Sequence, residues 1–115
     1  MKTLDQARTL SEQDRLLMQR GREAVRRHIP GAAVFLYGSV ARGTQERDSD
    51  YDLLILTDVP VPDDVQERVC DAFYDIELAN AVCFSAIFHT RGEWDGSPLA
   101  GSPFRRNVLH DAILL

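Results

Sequence analysis

Gly38-Ser39-Val40-Ala41-Arg42-Gly43, then six polar residues, then Asp50-Tyr51-Asp52 at the head of an apolar run: here the chain concentrates residues that could do chemistry together. Side chains two apart on a strand point the same way, with Cα atoms about 6.5–7 Å apart. Asp50 and Asp52 are therefore expected to converge on one divalent cation, or on two ions about 3.5–4 Å apart. Oxygen-only ligands suit Mg²⁺ or Mn²⁺ rather than zinc. Leu54 and Leu56 continue the same face, so the acids belong at the mouth of the strand, because an unpaired charge in mid-core is too costly. Gly38 lets backbone approach a ligand closely. A helical turn from Ser39 would offer free N–H groups and a hydroxyl to a phosphate, and Arg42 could pair with its oxygens. The combination reads as a site for a nucleoside triphosphate. Each half alone is commonplace: Gly-Ser after a strand is usually a turn, and Asp-x-Asp is often two solvated acids. Walker-A and Rossmann sites are excluded, since no GK[ST] follows the glycines and no GxGxxG occurs.

The elements that must position these residues follow from periodicity. Residues 11–29 predict a helix, capped by Ser11 with Asp14 three positions on, and stopped by Pro30-Gly31. Residues 4–10 extend it or form a separate turn. Ala32–Tyr37 is a short buried strand, Val40–Gly43 one helical turn, 44–49 a polar loop, and Tyr51–Thr57 a second strand. Asp63 and Asp64 open a helix where its dipole favours acids, and Val65, Val69, Ala72, Phe73, Ile76 and Ala79 form its apolar face. Ala81–Thr90 predicts a third strand, 91–101 is turn-rich, and 102–115 predicts a last helix. This order suggests one α/β (α+β) domain over 1–115, with a small mixed sheet of three to four strands and helices mainly on one face.

Composition sets the bounds. The chain has 115 residues, 44% hydrophobic and 27% charged, ordinary for one globular domain. No apolar run approaches the roughly 20 residues of a membrane span. The net charge of −5 argues against a free-standing nucleic-acid grip. Residues 60–80 hold six acids against one base, and 1–29 seven bases against four acids. The acidic helix could dock a basic protein surface. Cys70 and Cys83 lack metal-site spacing and are expected to be buried thiols in a reducing compartment, the cytoplasm. Trp94 is expected to pack, His110 to lie on the surface, His28 to cap carbonyls, and Arg20, Arg22, Arg26 and Arg27 to form a solvated face.

GSVARGTQERDSDYDLLIL resembles the signature of the DNA-polymerase-β-like nucleotidyltransferases, and in particular the minimal nucleotidyltransferases of bacteria and archaea. Their pattern is Gly-Ser, ten residues, then Asp-x-Asp, and here residues 40–49 are the ten. The resemblance implies the nucleotidyltransferase fold, with Gly38 and Ser39 binding ATP and Asp50 and Asp52 binding Mg²⁺ as the catalytic acids. It also implies transfer of AMP to a hydroxyl. Many such proteins are antitoxins of a helical HEPN-type partner, and the acceptor is expected to be small or to come with a partner protein or another subunit.

The superfamily uses a third carboxylate on a later strand, and Ala81–Thr90 contains no acid. Alternation places Cys83, Ser85 and Ile87 on one face, which makes Ser85 the expected occupant of the missing acid's position. A hydroxyl supplies neither the charge nor the base. Glu77, Glu93 and Asp95 are close in sequence and are expected to be solvated instead. A catalytically weak module that binds nucleotide or partner and acts by occlusion is therefore the alternative to an active enzyme.

Overall fold

The computed structural model describes residues 1–115. Helix α1 (Glu12–His28) begins as expected: the Ser11 hydroxyl accepts from the Asp14 N–H, and the Asp14 carboxylate accepts from the Ser11 N–H. Strand β2 (Ala33–Tyr37) passes directly into the short helix α2 (Gly38–Arg42), and strand β3 (Tyr51–Thr57) follows the polar loop. Helix α3 (Asp63–Asn80) then leads to strand β4 (Phe84–Thr90). The turn-rich stretch holds helix α4 (Arg91–Asp95) and a 3₁₀ turn (Leu99–Gly101), before helix α5 (Pro103–Asp111). Residues 4–6 form a separate 3₁₀ turn.

The sheet has five strands rather than three to four. Residues Lys2–Thr3 (β1) and Ile113–Leu114 (β5) add to it, in the order β1-β5-β2-β3-β4. Periodicity misassigned β5 to the last helix, because Val108, Ala112 and Leu115 fit helical spacing as well. The free edge of β2 decides the matter: Ile113 pairs with Leu36 and Leu114 with Phe35, and the Leu115 N–H donates to the Val34 carbonyl at 2.9 Å. Strand β4 starts three residues later than expected, because Ala81 takes a left-handed φ of 53° that ends α3.

The two long helices, α1 and α3, share one face of the sheet. Their core includes Leu17, Met18, Val25, Val69 and Phe73 against Val34, Leu36, Leu53 and Ile55. The opposite face carries a smaller cluster of Leu54, Leu56, Trp94, Val108 and Ala112 under the short helices α4 and α5. Odd residues of β3 thus enter one core and even residues the other, as strand alternation requires. Trp94 packs as expected, edge-on to Phe104. Both cysteines are free but exposed, not buried; Cys70 lies on the outer side of α3 and Cys83 precedes β4. No helix is long and apolar enough to cross a membrane.

Candidate functional site

Register assembles the site. Asp52 lies in β3 with Tyr37 as its antiparallel partner in β2 and Ser85 as its parallel partner in β4. The three side chains form a row across the sheet at the end of the smaller core, beyond Leu54 and Ile87. Ser85 therefore stands beside Asp52, on the face that alternation along β4 gives it with Ile87, and is exposed. Asp50 precedes β3 by one residue and is also exposed. The Tyr51 N–H donates to the Cys83 carbonyl at 2.9 Å, which ties this entrance to the start of β4.

Gly38 closes the row from the side of β2. Its φ of 78° lies in the left-handed region. A Cβ there would strike the Asp52 carboxylate, whose Cγ lies 3.2 Å from that position. Only glycine gives the backbone this approach. Ser39 follows in α2, half-buried, and the turn closes at Gly43, which also has a positive φ of 77°.

The electrostatics focus on Asp52. Burial first, and the Asp50 charge second, raise its pKa above the ordinary carboxylate value; Arg42 opposes them. Burial, and then the Asp52 charge, likewise raise the Tyr37 phenol. Two mutually repelling carboxylates, that of Asp52 partly desolvated, with no nitrogen or sulfur donor fit a hard divalent cation, which would remove the repulsion. No cluster of three or more His, Cys, Asp or Glu side chains forms a complete metal site. The carboxylates flanking β4 are engaged elsewhere. Glu77 accepts from the Phe84 N–H, Glu93 from the Thr90 N–H, and Asp95 pairs with Arg105 at 3.3 Å.

Arg42, expected to meet phosphate, donates to Asp111 at 2.6 Å. This links α2 to the end of α5 across 69 residues of sequence, and no sequence signal marked Asp111. Burial alone would raise the Asp111 carboxyl, but hydrogen bonds from His110 and Arg42 hold it below the ordinary value. His110 is exposed, as expected, and touches Asp111 at 3.1 Å. A second unforeseen pair is buried: the Tyr51 hydroxyl donates to Asp14 at 2.6 Å and pins the strand between the two aspartates to the cap of α1. Beside Asp50 a cleft of about 270 Å³ opens between loop 44–50 and the α3–β4 connection, lined in part by Asp14, Glu46, Asp48, Ser49 and Cys83. His89 sits at the far end of β4, near Trp94 and Glu93 and away from the aspartates.

Comparison with known proteins agrees with this arrangement. No curated protein matches the chain in sequence. In fold it is similar to a crystal structure of a toxin–antitoxin with AMP-PNP, with a TM-score of 0.57 and 17% identity over 84% of this chain and 69% of that one. The family model described as a nucleotidyltransferase domain matches residues 18–94, which span α1 through α4 and contain Gly38, Ser39, Asp50, Asp52 and Ser85. With well over half of its length matched, this chain belongs to the nucleotidyltransferase domain family.

Proposed function

We propose that this protein binds ATP and transfers its AMP group to a hydroxyl on a partner protein, as a minimal nucleotidyltransferase. The observation that carries the reading is the placement of the Asp52 carboxylate directly against Gly38 at the mouth of β3. The Gly38 and Ser39 backbone, with the Ser39 hydroxyl, faces the triphosphate. Asp50 and Asp52 would hold Mg²⁺ or Mn²⁺, which would neutralise phosphate charge and help align the reacting groups. The acceptor oxygen bonds to the α-phosphorus, the bond from that phosphorus to the bridging oxygen of pyrophosphate breaks, and pyrophosphate leaves. The hydroxyl proton passes to water, because Ser85 is no base. Arg42 stays within electrostatic reach of Asp52 while paired to Asp111, and reaches phosphate by exchanging that partner.

The similarity in fold to a toxin–antitoxin structure containing AMP-PNP supports a partner protein; the resemblance of the Gly-Ser…Asp-x-Asp signature makes a HEPN-type toxin in the cytoplasm the specific candidate. Ser85 beside Asp52 favours a second reading. With a hydroxyl where relatives carry an acid, the protein turns over slowly, or holds nucleotide and partner and acts by occlusion.

Calorimetry with ATP and Mn²⁺ tests the site: the Asp50→Asn, Asp52→Asn double variant should lose Mn²⁺-dependent ATP binding, and unchanged affinity would refute it. Labelled ATP with the product of the adjacent gene tests the reaction. Label on that partner alone supports transfer, and tight partner binding without label supports occlusion.

A further inference from the structure

Strand β4 lies at the edge of the sheet, beside the aspartates, and no strand pairs with its outer side. The ladder dictates which groups that side presents. The Cys83 carbonyl accepts from Tyr51 in β3, so in a parallel ladder Ser85, Ile87 and His89 also face β3. Phe84, Ala86, Phe88 and Thr90 then turn their N–H and C=O groups outward. Two of these amides are already occupied: Phe84 donates to Glu77 at 3.1 Å and Thr90 to Glu93 at 2.9 Å. Between the two carboxylates, Ala86 and Phe88 have outward-facing backbone with no strand partner. The segment FSAIFHT has no proline or lysine, the usual guards of an exposed edge.

We propose that this edge docks an extended segment of the acceptor protein by strand addition, with a hydrophobic centre and Lys or Arg at both ends. The proposal rests on the nucleotidyl-transfer reading and assigns acceptor recognition to this edge. Main-chain hydrogen bonds to Ala86 and Phe88 give affinity, as in other strand-addition complexes. Charge selects the occupant. Glu77 and Glu93 bracket the free backbone, and Asp50 and Asp52 lie along the neighbouring strand. A second copy is disfavoured, because antiparallel pairing of two β4 edges brings Glu77 of one copy near Glu93 of the other. An added strand would lie about 10 Å from β3, two strand spacings away, so a hydroxyl-bearing side chain on its Ser85 face would extend the row that contains Asp52.

The test uses the full chain and a nine-residue synthetic peptide of alternating valine and threonine between lysine ends. Amide hydrogen exchange of Ala86 and Phe88 is followed without nucleotide. The peptide should slow both amides by about tenfold or more. The same peptide with glutamate ends, or with alternate amides N-methylated, should not. Ala86→Pro removes an outward N–H and should abolish protection of Phe88 while Mn²⁺-dependent ATP binding persists; if that variant does not fold, the N-methylated peptide supplies the same control. Absence of protection, or equal protection by the glutamate-ended peptide, overturns the proposal. So does concentration-dependent protection of these amides without peptide, which marks a second copy. Repeating the exchange measurement in the Asp50→Asn, Asp52→Asn variant separates the two readings, because edge docking should survive there even when nucleotide binding is lost.

Discussion

The Asp52 carboxylate occupies the space that a methyl group on Gly38 would need. Backbone and acid are packed together, so the turn and the strand mouth form a single unit. Gly38→Ala should therefore act twice. Forcing alanine into the left-handed region should cost about 1–2 kcal/mol of stability. The displaced Asp52 side chain should also weaken Mn²⁺-dependent ATP binding by about tenfold or more, a loss of about 1.4 kcal/mol. Thermal unfolding and calorimetry together check this. Destabilisation with unchanged ATP affinity would show that the contact is structural only.

Ser85 offers the sharpest test of the register. Ser85→Asp places a third carboxylate beside Asp52 and should tighten Mn²⁺ binding and raise any transfer rate, since general-base contributions are typically on the order of 10²–10⁴-fold. Without metal it should lower the melting temperature through mutual repulsion. Cys83→Asp, two residues back on the same face, is the comparison. A response to Cys83→Asp and none to Ser85→Asp would contradict the pairing of Asp52 with Ser85.

The Arg42–Asp111 pair should couple α2 to α5. The Arg42 side chain is half exposed and that of Asp111 is nearly buried. A double-mutant cycle with Arg42→Ala and Asp111→Ala should give a coupling of about 1 kcal/mol, at the upper end for ion pairs near a surface. The folded Asp111 pKa is lowered, so its stabilisation is present above the ordinary aspartate pKa and is lost as pH falls through the lowered one. Acid unfolding of Asp111→Asn should show correspondingly less pH dependence below that ordinary value. Freed from Asp111, Arg42 should also bind phosphate more readily, and ATP affinity in Asp111→Asn reports this directly.

Tyr51 should be silent in an alkaline titration of the folded protein. Burial, followed by its hydrogen bond to Asp14 and the charge of that carboxylate, raises its phenol far above the ordinary value. A raised folded pKa means that the stabilisation is complete below the ordinary tyrosine pKa and is lost as pH rises above it. Of the three tyrosines, Tyr51 should ionise only as the chain unfolds. Tyr51→Phe should cost about 1.5–3 kcal/mol, because the hydroxyl donates to a charged, buried acceptor. Ultraviolet titration and denaturant unfolding check the two statements.

The sequence by itself determined the local grammar of the fold. The Ser11–Asp14 capping box, the stop at Pro30-Gly31, the strand through Tyr51–Thr57 and the apolar face of α3 depend on neighbours within a turn or two, and spacing reveals such neighbours. Much of the candidate site was legible for the same reason. Gly38, Ser39, Asp50 and Asp52 lie within 15 residues of one another, and strand alternation pointed Ser85 to its face. Tertiary structure alone decided the rest. Ile113 and Leu114 joined the sheet because β2 had a free edge, although their spacing suited a helix equally well. Arg42 met Asp111, and Tyr51 met Asp14, because packing brought distant segments together. Glu77 and Glu93 turned away from the aspartates to the outward amides of β4, a choice set by which side of the ladder each amide faces. Hydrogen bonds and ion pairs between distant residues leave no period in a sequence, since their partners are selected by the folded surface rather than by spacing along the chain.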